Sequence, residues 1–210
     1  MGELTMKHEW PIVLSHGDVV LRPLSRRDGR QWQQLRRGNV EWLREWEATL
    51  PLPDPTIPAD YRAMIRSQTK DARAGRAIAL GMEVRGVLVG QITLGGLSWG
   101  SLRSGYVGYW ISRRSAGQGV TPLAVAMLCD YAFDHMQLHR VEINVRPENQ
   151  SSLRVVAKLG FRFEGTRRGY LHINGDWRDH LSYAMLVAER PSGGLVRHLK
   201  DMSVSDRRAE

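Results

Sequence analysis

The sequence predicts a mixed α/β (α+β) domain, one sheet with helices on both faces, and two observations carry that prediction. The first is a change of hydrophobic period along the chain. Val141 to Arg146 alternates apolar and polar like a strand, whereas Leu153, Val156, Ala157 and Gly160 recur at helical spacing. The second is the order of such runs: strand, helices, hairpin, strand, helix, strand, helix, strands, with no internal repeat. The 210 residues, 42% of them apolar, are enough for one buried core. The expected layout is a tail or short pairing segment over 1–15, a single domain over 16–190, and a flexible polar tail over 191–210.

In chain order, Asp18 to Leu24 reads as a strand ended by Pro23. Gln31 to Arg37 and Asn39 to Leu50 read as two helices joined near Gly38, with Asn39 a candidate N-cap. The second would set Trp42 and Trp46 at i,i+4, for core packing or as a substrate-facing wall that attracts a cation. Pro51, Pro53, Pro55 and Pro58 make an extended loop. Tyr61 to Ala74 is a helix, and Ala77 to Val84 and Val87 to Leu97 form a hairpin about Arg85-Gly86. Tyr106 to Ser112 is a strand and Thr121 to Met136 an almost wholly apolar helix, as for one packed deeply on a sheet. After the strand Val141 to Arg146, Asn149 opens a helix that Gly160 closes. Phe161 to Thr166 and Leu181 to Val187 supply the last strands.

Charge and cysteine usage narrow the function classes. Thirty Lys and Arg against twenty-two Asp and Glu give a net charge of +8, which favours acidic partners such as phosphates, nucleic acid or acidic proteins. The basic residues are dispersed, and no nucleic-acid motif with interleaved aromatics is present. Cys129 is the only cysteine, which excludes an internal disulfide and any CxxC site and points to a reducing cytoplasm. Its apolar surroundings suit a small buried hydrophobe better than a nucleophile. The seven histidines do not combine with cysteine into a metal-ligating motif, so no metal is expected. No stretch has the character of a membrane span.

Between the strand ending at Ser112 and the following helix lies Arg114-Ser115-Ala116-Gly117-Gln118-Gly119. A glycine turn into a helix start presents free backbone N–H groups and the positive end of a helix dipole, a candidate phosphate cradle. It matches neither the dinucleotide fingerprint nor the P-loop, and an ordinary turn with positive φ explains the glycines equally well.

Taken together, Gly108-Tyr109-Trp110-Ile111, Arg114-x-x-Gly117-x-Gly119, His139-Arg140-Val141-Glu142, Asn149-x-x-Ser152, Lys158-Leu159-Gly160-Phe161, Glu164-Gly165 and Asp179 resemble the GCN5-related N-acetyltransferase (GNAT) superfamily. The likeness is greatest to its RimJ/RimL-like branch, which acetylates ribosomal-protein alanine. The resemblance implies a mostly antiparallel twisted sheet with a splayed strand pair, and direct acetyl transfer from acetyl-CoA to an amine. It implies CoA binding by Trp110, Ile111, Ser112, Arg113, Arg114, Ser115, Ala116, Gly117, Gln118, Gly119, Val120 and Thr121, joined by Asn149 and Ser152. Family position makes Ser152 the hydrogen-bond or proton donor to the departing sulfur and Asn149 a pantetheine contact; each also reads as an ordinary helix-start residue.

Relatives often carry a glutamate where this chain has Tyr106, so Glu142 becomes the candidate base, acting through water, with a salt-bridged strand carboxylate as the other reading. Trp42, Trp46, Glu45 and Tyr106 are the candidate acceptor contacts. The expected acceptor is a protein N-terminal α-amine, for instance that of a ribosomal protein. A small or antibiotic amine, a protein lysine, or a non-catalytic CoA-binding or RNA-associated module are the alternatives. No membrane or specific nucleic acid is expected as partner, and the chain would be a monomer or homodimer.

Overall fold

A computed structural model describes residues 10–206 apart from 56 and 59. Eight strands form one sheet in the order β1-β2-β3-β4-β5-β6-β8-β7, in which only β5 and β6 run parallel. The strands are β1 (Leu14–His16), β2 (Val19–Arg22), β3 (Ile78–Val84), β4 (Val87–Ser98), β5 (Ser104–Ile111), β6 (Arg140–Val145), β7 (Arg162–Ile173) and β8 (Asp176–Leu186). The helices are α1 (Gly29–Arg37), α2 (Val40–Arg44), α3 (Tyr61–Arg73), α4 (Val120–Asp134), α5 (Gln150–Lys158) and α6 (Leu195–Asp206).

The apolar helix α4 packs across β1, β2, β4, β5 and β6, and α5 lies beside it. On the other face α1 meets β4 and α3 meets β3. Val141, Ile143 and Val145 of β6 turn into the core around Ala124, Leu128 and Cys129 of α4. Cys129 is fully buried and its thiol is pushed well above the usual range by burial, consistent with a small core hydrophobe.

The β5–β6 pairing positions the site. It holds only over Ser104↔Arg140, Gly105↔Val141 and Tyr106↔Glu142, after which the two strands diverge. Residues 107–111 and 143–145 therefore border an opening through the sheet, the splay that the family resemblance implies.

The structure corrects three expected elements. The second N-terminal helix stops at Arg44 instead of reaching Leu50, so Trp42 lies on it and Trp46 beyond it. Asn39 does not cap that helix with its side chain; its amide donates to the Leu35 carbonyl (2.8 Å) and its oxygen accepts from the Arg113 N–H (2.9 Å). The expected polar tail is helical over 195–206. Leu195 is fully buried against α4, and the Leu195 and Val196 N–H groups donate to the Asp130 carboxylate at 2.9 and 3.0 Å. Residues 1–9 of the expected N-terminal segment and 207–210 of the expected tail lie outside the described residues.

The first sheet edge is tied by charge. Arg22 donates to both oxygens of buried Asp28 (2.7 and 2.8 Å) and also pairs with Glu83, while the Ser25 N–H donates to Asp28 at 2.7 Å. The Arg22 hydrogen bonds hold the Asp28 carboxyl at about 2, below its ordinary 3.8. A carboxyl with a depressed folded value stabilises above its unfolded value and loses that contribution as pH falls from 3.8 toward 2. Asp28→Asn is expected to cost about 2 kcal/mol at neutral pH and to flatten stability over that acid window. Urea unfolding across pH measures both.

Candidate active site

Two cavities meet at the opening between β5 and β6. The larger, about 750 Å³, runs between α2, the end of β5, the start of α4 and α5. The smaller, about 360 Å³, lies between α1, the segment after α2, the polar face of β4 to β6, and the β7–β8 hairpin. Both volumes suit small-molecule sites. Leu43, Trp46, Tyr109, Trp110, Asn149 and Ser152 line both, so the junction belongs to one continuous cleft.

The wall of the larger cavity is the loop from β5 to α4. The Ser112 N–H donates to the Val89 carbonyl (2.8 Å), the Ser115 and Ala116 N–H groups close on the Ser112 carbonyl (both 3.0 Å), and the Arg113 N–H is taken by Asn39. Beyond them the N–H groups of Gly117, Gln118, Gly119, Val120 and Thr121 meet no acceptor among the described residues. Gly117 and Gly119 adopt φ of +77° and +78°, and a Cβ on either would meet nothing within 4 Å. The glycines thus supply the left-handed turn and leave the cavity side open. Consecutive free N–H groups at the start of a 15-residue helix form an anion cradle. Arg113, Arg154 and Lys158 add positive charge to the same cavity.

Not every expected cofactor residue faces the cavity. Trp110, Ile111, Arg113, Ala116, Gly117, Gly119, Thr121, Asn149 and Ser152 line it. Ser112 and Val120 do not, since both side chains are buried, and Arg114, Ser115 and Gln118 do not line it. Gln118 instead donates to the Arg114 carbonyl at 2.8 Å, which fastens the loop on itself.

Asn149 and Ser152 sit where the cavities join. The Asn149 oxygen accepts the Ser152 N–H at 3.0 Å, so Asn149 caps α5 while still facing the cleft. The Ser152 hydroxyl lies toward the Tyr109 phenol, whose oxygen is fully buried. Burial pushes that phenol up to about 12, with Ser152 partly opposing the rise, so it stays protonated at neutral pH.

The acceptor-side expectations change more. Tyr106 lines neither cavity; its ring lies over Gly95 and Gly96, where a Cβ on Gly96 would come within 2.6 Å of it. Glu142 lines neither cavity, and its two oxygens are engaged by Arg140 Nε (3.0 Å) and Arg167 (2.5 Å). It is a strand carboxylate held between guanidinium groups, which removes it from the position of a base. Trp42 and Glu45 line the larger cavity, and the Trp42 indole N–H donates to the Ile111 carbonyl at 2.9 Å. Trp46 borders both cavities beneath the Arg146 guanidinium, 5.4 Å from its ring centre, and Arg146 also donates to the Glu45 carbonyl at 2.6 Å.

The smaller cavity contains residues the sequence reading missed. The β7–β8 hairpin is far longer than its two expected strands, turning at Asn174-Gly175 with φ of +49° and +84°. It reaches over the cleft, where Ile173 bridges to Ala48 and the Thr49 N–H donates to the His172 carbonyl at 2.8 Å. Leu171, Ile173 and buried His180 thereby become cavity walls, together with Asn144 of β6. The Asn-Gly pair was the available signal for this hairpin. His135 and His139 stand four apart, but α4 ends at Asp134, and among the described residues no group of His, Cys, Asp or Glu is placed to hold a metal.

The acetyltransferase (GNAT) domain family matches residues 18–162 of the chain. Over 179 residues the chain is 27% identical to the [ribosomal protein uS5]-alanine N-acetyltransferase of Escherichia coli (strain K12), covering 83% of this chain and 91% of that one. A 99-residue stretch is 39% identical to YjcK of Bacillus subtilis (strain 168), named a probable N-acetyltransferase; the chain spans 55% of that relative's length and the match covers 47% of this one. The solved structure of Mycobacterium smegmatis RimJ in complex with CoA-disulfide superposes with a TM-score of 0.86 at 35% identity, covering 92% of this chain and 96% of that one.

Proposed function

The chain belongs to the GNAT acetyltransferase family, an acetyl-CoA-dependent N-acetyltransferase by that membership, and we propose that its acceptor is the N-terminal α-amine of a protein such as a ribosomal protein. The observation that carries the donor side is the run of unpartnered N–H groups from Gly117 to Thr121, of which Gly117, Gly119 and Thr121 line the larger cavity. These groups, with Arg113, Arg154 and Lys158, suit a pyrophosphate and a further phosphate. Bound acetyl-CoA supplies the acetyl group as an activated thioester. Ser152, at the junction, is the hydrogen-bond donor toward the sulfur, with Tyr109 behind it as a protonated neighbour. Asn149 holds the helix start and borders the pantetheine arm.

The acceptor side supports an α-amine over a lysine or a polyamine. Among the described residues the only carboxylate lining the smaller cavity is Glu47, and Arg36 already pairs with it. A lysine ammonium would therefore meet no free counter-charge there. An α-amine, with a reference value of about 7.7 to 8.0 against about 10.4 for lysine, costs about 3 kcal/mol less to deprotonate at neutral pH. The cavity of about 360 Å³ beneath the hairpin has room for a chain terminus. Such an acceptor belongs to the cytoplasm, and no helix among the described residues is long and apolar enough to cross a membrane.

The test is thiol release from acetyl-CoA in the presence of peptides that begin with Ala, Ser or Met, each offered free and N-formylated, beside lysine-containing and polyamine acceptors. Release that requires a free α-amine is the expected result. Equal release with formylated, lysine-containing peptides would move the acceptor to a side chain.

A further inference from the structure

With Glu142 committed to Arg140 and Arg167, and Glu47 to Arg36, no unpaired carboxylate lines the smaller cavity among the described residues, yet its wall carries a polar atom that lacks a partner. Asn144 lines the cavity, and its side-chain oxygen is buried without a hydrogen bond. Ser182, directly opposite it in the β6–β8 register, has a hydroxyl in the same condition. His180 stands two residues from Ser182 on the same face of β8, so it lies diagonally across from Asn144. It is only 3% exposed and lines the same cavity. Buried polar atoms left unpaired cost about 1–3 kcal/mol each, and one carried by a residue on a cavity wall, as Asn144 is, points to a ligand that satisfies it.

His180 has a definite orientation. Its Nδ1 lies 3.0 Å from the Arg178 carbonyl oxygen, which can only accept, so Nδ1 carries the proton. In the neutral ring Nε2 then holds the lone pair. The Tyr170 ring, edge-on at 5.5 Å, fixes the imidazole from β7. Burial, and after it the Arg146 guanidinium, hold the imidazole below its ordinary 6.5, against the opposing Glu148 and Asp179 and the Arg178 carbonyl. Arg167 faces it in register on β7, and the Arg36–Glu47 pair closes the far side of the cavity. The ring is therefore neutral at neutral pH, the state a proton acceptor requires.

Resting on the α-amine reading above, we propose that Asn144 and His180 form the amine-docking and deprotonating pair of this enzyme, the Asn144 oxygen accepting an N–H of the incoming amine and His180 Nε2 taking its proton. The balance closes. Of the ammonium's three protons, one remains on the product amide, one passes to His180 and on to solvent, and one ends on the CoA sulfur by way of Ser152. The nitrogen lone pair forms the new C–N bond as the C–S bond breaks and its electrons leave with sulfur.

The experiment measures kcat and KM for an alanine-initiated decapeptide, and acetyl-CoA affinity by calorimetry, between about pH 5 and pH 9. Wild-type kcat should rise through an ionisation below 6.5, the ordinary histidine value. His180→Gln keeps a donor for the Arg178 carbonyl but has no base. It should lose that limb and about 100-fold in kcat at neutral pH, with acetyl-CoA affinity unchanged and the deficit shrinking at alkaline pH. Asn144→Ala should raise peptide KM about tenfold and keep the limb. An intact limb in His180→Gln, or an unchanged peptide KM in Asn144→Ala, overturns the pair. Nitrogen NMR of the wild-type histidines tests it without substitution: His180 bare at Nδ1 would also overturn it. Wild-type protein that acetylates neither peptides nor amines would overturn the acceptor reading and the pair together, whereas variants matching an active wild type overturn the pair alone.

Discussion

Gly119→Glu is expected to abolish acetyl-CoA binding, weakening it by about 100-fold or more while the fold persists. Gly119 is the left-handed residue at the start of α4, at φ +78° and ψ −1°, with open space where a Cβ would sit. A Cβ there meets nothing within 4 Å, so the main folding penalty is the backbone strain, about 1–3 kcal/mol. The functional penalty is larger. The new carboxylate enters the cavity between the free N–H groups of Gly117 to Thr121 and the space they line, and it neutralises the field of the helix start. Gly119→Ala separates the contributions, since it carries the strain without the charge and should bind more tightly than the glutamate variant. Calorimetric titration with acetyl-CoA measures both. Wild-type affinity in folded Gly119→Glu would mean that the cradle does not hold the donor.

Ser152→Ala should lower kcat by about 100-fold and leave acetyl-CoA affinity within about twofold. The separation follows from geometry. Ser152 contributes its N–H to the Asn149 cap, a contact that survives loss of the hydroxyl, so α5 and the cavity wall keep their shape. The hydroxyl itself faces the junction and Tyr109, and in the proposed role it acts only by donating to a developing thiolate. Tyr109→Phe should be milder, because the phenol oxygen lies buried behind Ser152 and holds no hydrogen bond that the change would remove. Equal losses in kcat and affinity for Ser152→Ala would make the hydroxyl a binding group instead.

The donor half of the site was legible in the sequence because its parts are local. A β5 strand, a glycine-spaced loop and an apolar helix follow one another between Ser104 and Asp134, and each has a periodicity or a φ requirement of its own. The Asn149 cap of α5 is equally local. The acceptor half is built from residues far apart in the chain. Glu142 reads equally as a base or as a salt-bridged strand carboxylate until Arg167, 25 residues on, is placed against it. The hairpin that carries His180 was cut short because register shifts at Phe163/Gly165 and Arg167/Leu171 break the alternation that marks a strand. Trp46 kept the i,i+4 spacing of a helix that ends two residues before it, with the following chain drawn out to bridge Ala48 to Ile173. The C-terminal helix was masked by its Ser and charged residues and by the Gly193-Gly194 pair before it, although buried Leu195 docks it on α4.

The central claim is that the donor cradle and the covered cavity beyond Ser152 together acetylate a chain terminus. The most direct test is to treat a bacterial extract stripped of acetyl-CoA with the protein and isotopically labelled acetyl-CoA, and to map the label by tandem mass spectrometry. Label on protein N-terminal α-amines, foremost among ribosomal proteins, is the predicted result. Label confined to lysine side chains or to small amines would contradict it.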